Sequence, residues 1–157
     1  MKYVFDSDIF INMFKYYYPQ RFPSFWERFD KYIEDGLICS VREVKNEIIN
    51  NDDDLAKWVK NNSSIFHSPK KAELLFITEI FKVKNGHFQQ VISKKSQYKA
   101  GHVADPFVVA KAKVESLCVV TAEKYKPNSA KIPNICDYFN IECTDLEGFL
   151  EKEGWIF

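Results

Sequence analysis

The sequence predicts an α/β fold: one domain with a short parallel sheet of about four to five strands and helices on both faces. Three observations predict it. Short apolar runs, such as Tyr3-Val4-Phe5 and Leu117-Cys118-Val119-Val120, alternate with longer stretches whose apolar residues recur at helical spacing. Most of the runs lead into an acid, a serine or a threonine, the residues that open helices. The chain has 157 residues with only 5 Gly and 6 Pro, which fits a single domain over residues 1–157 without linker or repeat.

The elements follow in order. Tyr3-Val4-Phe5 reads as a buried strand, and Asp6-Ser7-Asp8 starts a helix that runs to Tyr18 and stops before Pro19. Phe22, Phe25, Trp26, Phe29, Tyr32 and Ile33 then fall on one helical face, which ends at Asp35-Gly36. Leu37-Ile38-Cys39 is a second strand. Ser40-Val41-Arg42-Glu43 has the S-x-x-E form of a capping box for the next helix. Asp52-Asp53-Asp54 caps a helix with Leu55, Trp58 and Val59. Ser68-Pro69 starts another, with Leu74, Leu75, Thr78 and Phe81 on one face. Asp105-Pro106 marks a helix start with Asp as cap. Leu117-Cys118-Val119-Val120 is the clearest strand. Ile141-Glu142-Cys143 is the last strand, and Thr144-Asp145-Leu146-Glu147 is a second capping box.

Composition excludes several classes. The 22 basic and 22 acidic residues cancel, which excludes a generally basic nucleic-acid coat but leaves room for a local basic patch. The sequence has no apolar run of roughly 18 residues or more, so no membrane span is expected. Asp6 comes too early for a signal peptide. The 4 cysteines, Cys39, Cys118, Cys136 and Cys143, form no CxxC pair and read as reduced, mostly buried thiols of a cytoplasmic protein.

In parallel sheets, ligands bind beyond the carboxyl ends of the strands. Acids recur there: Asp6 and Asp8 after the first strand, Glu43 and Glu47 after the second, Glu123 after Thr121, and Asp105 at a helix start. Clustered carboxylates repel one another, and burial adds to the cost. A divalent cation neutralises such a cluster, and Mg²⁺ and Mn²⁺ favour oxygen donors. Glu43 sits three residues after Ser40 and is assigned to the cap. Glu47, one turn later on the same face, has no capping duty, which leaves it a metal ligand or a surface acid.

Four segments, in order, resemble the PIN-domain ribonucleases, and in particular a bacterial branch similar to toxins of VapC type. They are Tyr3-Val4-Phe5-Asp6-Ser7-Asp8, Val44-Lys45-Asn46-Glu47-Ile48, Ala104-Asp105-Pro106-Phe107-Val108-Val109-Ala110 and Val119-Val120-Thr121-Ala122-Glu123. The resemblance implies that Asp6, Glu47, Asp105 and Glu123 hold one or two Mg²⁺ or Mn²⁺ ions and that Thr121 orients a ligand or the water. It implies metal-assisted hydrolysis of single-stranded RNA and a protein antitoxin as partner, and it leaves a homodimer open. Asp8 and Glu43 are secondary candidates. Two positions depart from the pattern: Glu123 stands where most members carry Asp, and Asp8 where Asn, Ser or Thr is commoner.

The acid-free stretch 82–104 is the candidate phosphate-contacting rim, with Lys94, Lys95, Lys99 and His102 as RNA-binding candidates and His102 the histidine expected to approach the site. Tyr16-Tyr17-Tyr18 could stack bases, but an aromatic cluster beside helices is more often core or a partner interface. Two other functional readings stay open: a catalytically silent binding module of the same fold, and a haloacid-dehalogenase-like phosphatase, whose Asp-x-Asp opening Asp6-Ser7-Asp8 also matches.

Overall fold

The structure is a computed structural model and describes residues 1–51, 53–89 and 104–157. Five strands form one parallel sheet: β1 Tyr3–Phe5, β2 Ile38–Val41, β3 Phe66–His67, β4 Cys118–Val120 and β5 Cys143–Thr144. Their spatial order is β3-β2-β1-β4-β5. The described helices are α1 Ser7–Tyr16, α2 Pro23–Glu34, α3 Arg42–Ile48, α4 Asp54–Asn61, α5 Lys71–Lys82, α6 Asp105–Glu115, α7 Ile132–Tyr138 and α8 Leu146–Lys152. Among the described residues no helix is long and apolar enough to cross a membrane.

The pleat sorts the core into two layers. Tyr3 and Phe5 share one face of β1. On that face Phe5 meets Phe10 of α1, Phe29 of α2 and Phe149 of α8, with ring centroids 5.8, 5.7 and 5.2 Å apart. Val4 points the other way, in register with Cys39 and Val119. All three are buried on the side covered by α6, which packs on β1, β2 and β4 and against α5. The expected α/β architecture, with helices on both faces, is therefore what the chain adopts.

Local details differ from the sequence reading. Ser40 does not cap α3: its buried hydroxyl donates to the Phe5 carbonyl at 2.6 Å, which holds it in the strand. β2 therefore continues to Val41, the helix opens one turn-position later, and the capping box of Ser40 and Glu43 does not form. Asp145, not Thr144, caps α8 by accepting from the Gly148 N–H at 2.9 Å. A Cβ at position 148 would collide with Thr144 Oγ1, so glycine lets α8 start against β5. Asp105 is the first residue of α6 rather than its cap, which is Ala104. α5 starts at Lys71, two residues after Pro69, and turns Ile77 and Ile80 inward, leaving Leu74 and Leu75 exposed. β3 was not expected: it is two residues long and exists through its pairing of Phe66 with Ser40.

Two expectations hold in detail. Gly36 follows α2 at φ +70, the left-handed conformation that costs other residues. Asp53 caps α4 through the Ala56 N–H at 2.8 Å.

Candidate active site at the carboxyl edge of the sheet

The chain passes outward from β1 to β2 and β3, then crosses back to place β4 on the other side of β1. The strand order reverses between β1 and β4, and such switch points open a crevice at the carboxyl ends of the strands. Asp6 ends β1 and Thr121 ends β4, so both sit at this crevice.

Asp6 is buried and caps α1: its Oδ1 accepts from the Ser7 N–H at 2.8 Å. Its other oxygen lies 3.1 Å from the Thr121 hydroxyl. Asp8, one turn-step along α1, brings an oxygen within 3.3 Å of the same hydroxyl and accepts from the Ala122 N–H at 3.1 Å. Thr121 is itself buried and accepts from the Glu123 N–H at 3.2 Å. A hydroxyl has one proton, so Thr121 donates to only one of the two carboxylates at a time. Asp8 thus does more than belong to the first turn of α1: it ties α1 to the end of β4.

Two further acids lie on α3 and at the start of α6. Glu47, on α3, accepts from the Ala104 N–H at 3.0 Å, and Asp105 follows in sequence with its side chain buried. Glu47 lines a groove whose wall also includes Ser7, the residue between Asp6 and Asp8. Glu123 is placed differently. Its carboxylate accepts from the Ile132 N–H at 2.9 Å and so caps α7. It also borders a small pocket of about 320 Å³ with Cys143 and Asp145. Glu43 pairs with Arg42 at 2.8 Å instead of capping, and its second oxygen is buried without a hydrogen-bond partner among the described residues.

The electrostatics beyond Glu123 are set by close pairs. A hydrogen bond from Cys136 holds the Cys143 thiol below its ordinary value, against the opposing effect of burial. The same pairing, with burial, pushes the Cys136 thiol up. Lys124, which the sequence places just after Glu123, donates to Asp145 at 2.5 Å and holds that carboxyl below its ordinary value. Lys124 is therefore engaged with α8 and is not aimed at the acids.

The donor set suits a hard cation, since every candidate is a carboxylate or hydroxyl oxygen. The carboxylates are held by protein donors, and among the described residues no three acid, imidazole or thiol groups converge at ligating distance. Sequence reasoning located the acids but not their partners. The Ala104, Ala122 and Ile132 N–H groups are backbone atoms, and no residue type announces them. Lys94, Lys95, Lys99 and His102 lie outside the described residues.

Fold and edge together define an α/β domain with Asp6 and Asp8 meeting Thr121 at the switch point of a five-stranded parallel sheet. The chain belongs to DUF4411, a domain family of unknown function, which it matches over residues 3–157. A search of curated proteins finds no match.

Proposed function

We propose that the chain is a PIN-type, metal-dependent endoribonuclease that cleaves single-stranded RNA, acting in the cytoplasm as the toxin of a toxin–antitoxin pair. The observation that supports it best is the burial of Asp6 and Asp105 at the carboxyl edge, with Glu47 against the residue before Asp105. Buried carboxylates at one edge are costly unless a cation or a proton offsets their charge. The oxygen-only donor set fits Mg²⁺ or Mn²⁺, held by Asp6, Glu47, Asp105 and Glu123, with Asp8 and Glu43 within one helical turn of Asp6 and Glu47. Such an ion, when bound, neutralises the acids and activates water toward a phosphodiester.

The chain's own groups have separate duties in this reading. Thr121 shares its proton between Asp6 and Asp8 and fixes the direction of both carboxylates. The Ala104 N–H orients Glu47. The backbone amide of Glu123 fixes the Thr121 oxygen. The toxin role and the antitoxin rest on family resemblance, an associational warrant.

One observation favours a second reading, the silent binding module. Glu123 departs from the family's Asp, and its carboxylate serves α7. The test is incubation of the purified protein with total cellular RNA and Mn²⁺, with mapping of new 5′ ends. New ends that vanish in EDTA and in Asp6→Asn support the ribonuclease. Full cleavage in excess EDTA overturns it. A folded protein that binds no Mn²⁺ and makes no new ends is the silent module.

A further inference from the structure

A groove of about 1340 Å³ runs between α1, the turn after it, and α3–α4. Ser7 and Glu47 stand in its wall, so it reaches the acidic edge at Glu47. Pockets for single small molecules hold roughly 300–1,000 Å³. This groove is larger, a size suited to a stretch of polymer.

Its lining distinguishes between parts of a polymer. Lys15, Arg21 and Lys57 are matched by Glu47, Asp53 and Asp54, so its charges cancel. Asp53 already caps α4, and Lys57 lies 4.0 Å from Asp54. A phosphate backbone is gripped by an excess of cations that displace its counterions, and the lining supplies no such excess. Nucleobases make other demands: flat apolar faces and polar edges. Ile11, Phe14 and Trp58 give the groove an apolar side, and the ring of Tyr18 is half exposed beside it. Gln20, Asn51 and Asn61 add amides, each offering a donor and an acceptor to a base edge.

We propose that the groove between α1 and α4 holds unpaired bases of the RNA strand that flank the scissile phosphate, with Tyr18 as a stacking ring. This rests on the ribonuclease reading of the acidic edge. Recognition then comes from stacking and base edges here, and the strand's phosphates face outward.

The test uses the full chain carrying Asp6→Asn, in EDTA, with two fluorescent probes read by anisotropy. One is a short single-stranded RNA. The other is an abasic strand with the same number of phosphates. The RNA should bind more tightly than the abasic strand. Adding Tyr18→Ala should weaken the RNA roughly ten- to hundredfold, the loss of one stacked base, and leave the abasic strand unchanged. Tyr18 is exposed, so this variant keeps the core intact. Equal binding of the two probes, or unchanged RNA affinity in Tyr18→Ala, overturns the proposal. So does an extended peptide that binds through Tyr18 while the two probes bind alike. Cleavage assays separate the two levels. In the otherwise native chain, Tyr18→Ala should raise KM for long RNA and spare kcat. An active enzyme with unchanged KM overturns the groove and leaves the ribonuclease standing. An inactive wild-type chain overturns the ribonuclease reading and, with it, this inference.

Discussion

Glu47 offers the sharpest separation of structure from chemistry. Its Oε1 accepts from the Ala104 N–H at 3.0 Å, and Ala104 is fully buried. Glu47→Gln keeps an amide oxygen in the same place, so the hydrogen bond survives without its charge. Charge-assisted bonds contribute about 1.5–3 kcal/mol and neutral ones about 0.5–1.5, so the swap costs roughly 1 kcal/mol. Relief of repulsion from neighbouring Asp105 opposes that loss. Glu47→Ala instead strands a buried N–H, at about 1–3 kcal/mol. For a domain of this size, 1 kcal/mol moves the melting temperature by about 2–4 °C. Thermal melts with and without Mn²⁺ read both effects. At a hundredfold excess over Kd, a bound ion stabilises by about 2.7 kcal/mol, or about 5–11 °C. Wild type should show that shift and cleave RNA. Glu47→Gln should melt within a few degrees of wild type, lose most of the shift and lose cleavage. A Glu47→Gln variant that keeps both the Mn²⁺ shift and cleavage refutes the assignment of Glu47 to a metal.

Two further outcomes concern groups away from the acids. Lys111 is buried and pairs with Glu115 at 3.0 Å, while Lys70 reaches the same carboxylate at 2.6 Å. Glu115→Gln leaves Lys111 without its counter-charge and should cost about 3–5 kcal/mol in urea denaturation, and adding Lys111→Met should recover most of it. Burial raises the Glu115 carboxyl, but hydrogen bonds from Lys70 and Lys111 outweigh it and hold the carboxyl below its ordinary value. Its stabilisation is therefore complete above the unfolded carboxyl value and disappears as pH falls through the lower folded one. The acid limb of the stability curve should flatten in Glu115→Gln; an unchanged limb counts against the pairing. Among the thiols, iodoacetamide followed by mass spectrometry should label Cys143 first. Cys39 and Cys118, whose thiols burial pushes up to about 12, should stay unlabelled in the folded chain.

The elements that sequence foretold are those where one local signal suffices. Val119 and Val120 are β-branched, apolar and followed by Thr121, and they form the central part of β4. Gly36 stands where only a left-handed residue closes α2. The elements that were missed depend on distant partners. Phe66 and His67 become a strand because Ser40 and Val41 lie beside them. Ser40 looked like a helix cap because its type and its spacing to Glu43 fit one. Its hydroxyl instead found the Phe5 carbonyl, 35 residues away in sequence. Lys111 is buried, although lysine is a residue type that ordinarily stays in solvent. Its burial follows from Glu115 one turn on, a pairing that becomes decisive only when α5 brings Lys70 to the same carboxylate.

The same logic explains why the acids were legible and their arrangement was not. An acid directly after a buried strand stands out because burying charge is expensive, and Asp6 is indeed almost wholly buried. What each acid accepts from is a property of the folded backbone. Asp6 opens α1, Asp8 holds the end of β4, Glu47 fixes the start of α6 and Glu123 fixes the start of α7. Each of these carboxylates therefore ties together two segments of the chain, and Glu47 and Glu123 border different pockets. A substitution there acts on structure and on chemistry together, unless it preserves the acceptor oxygen. Asn and Gln preserve it and remove only the charge. For this chain, amide replacements measure what the charge does, and alanine replacements measure what the hydrogen bond does.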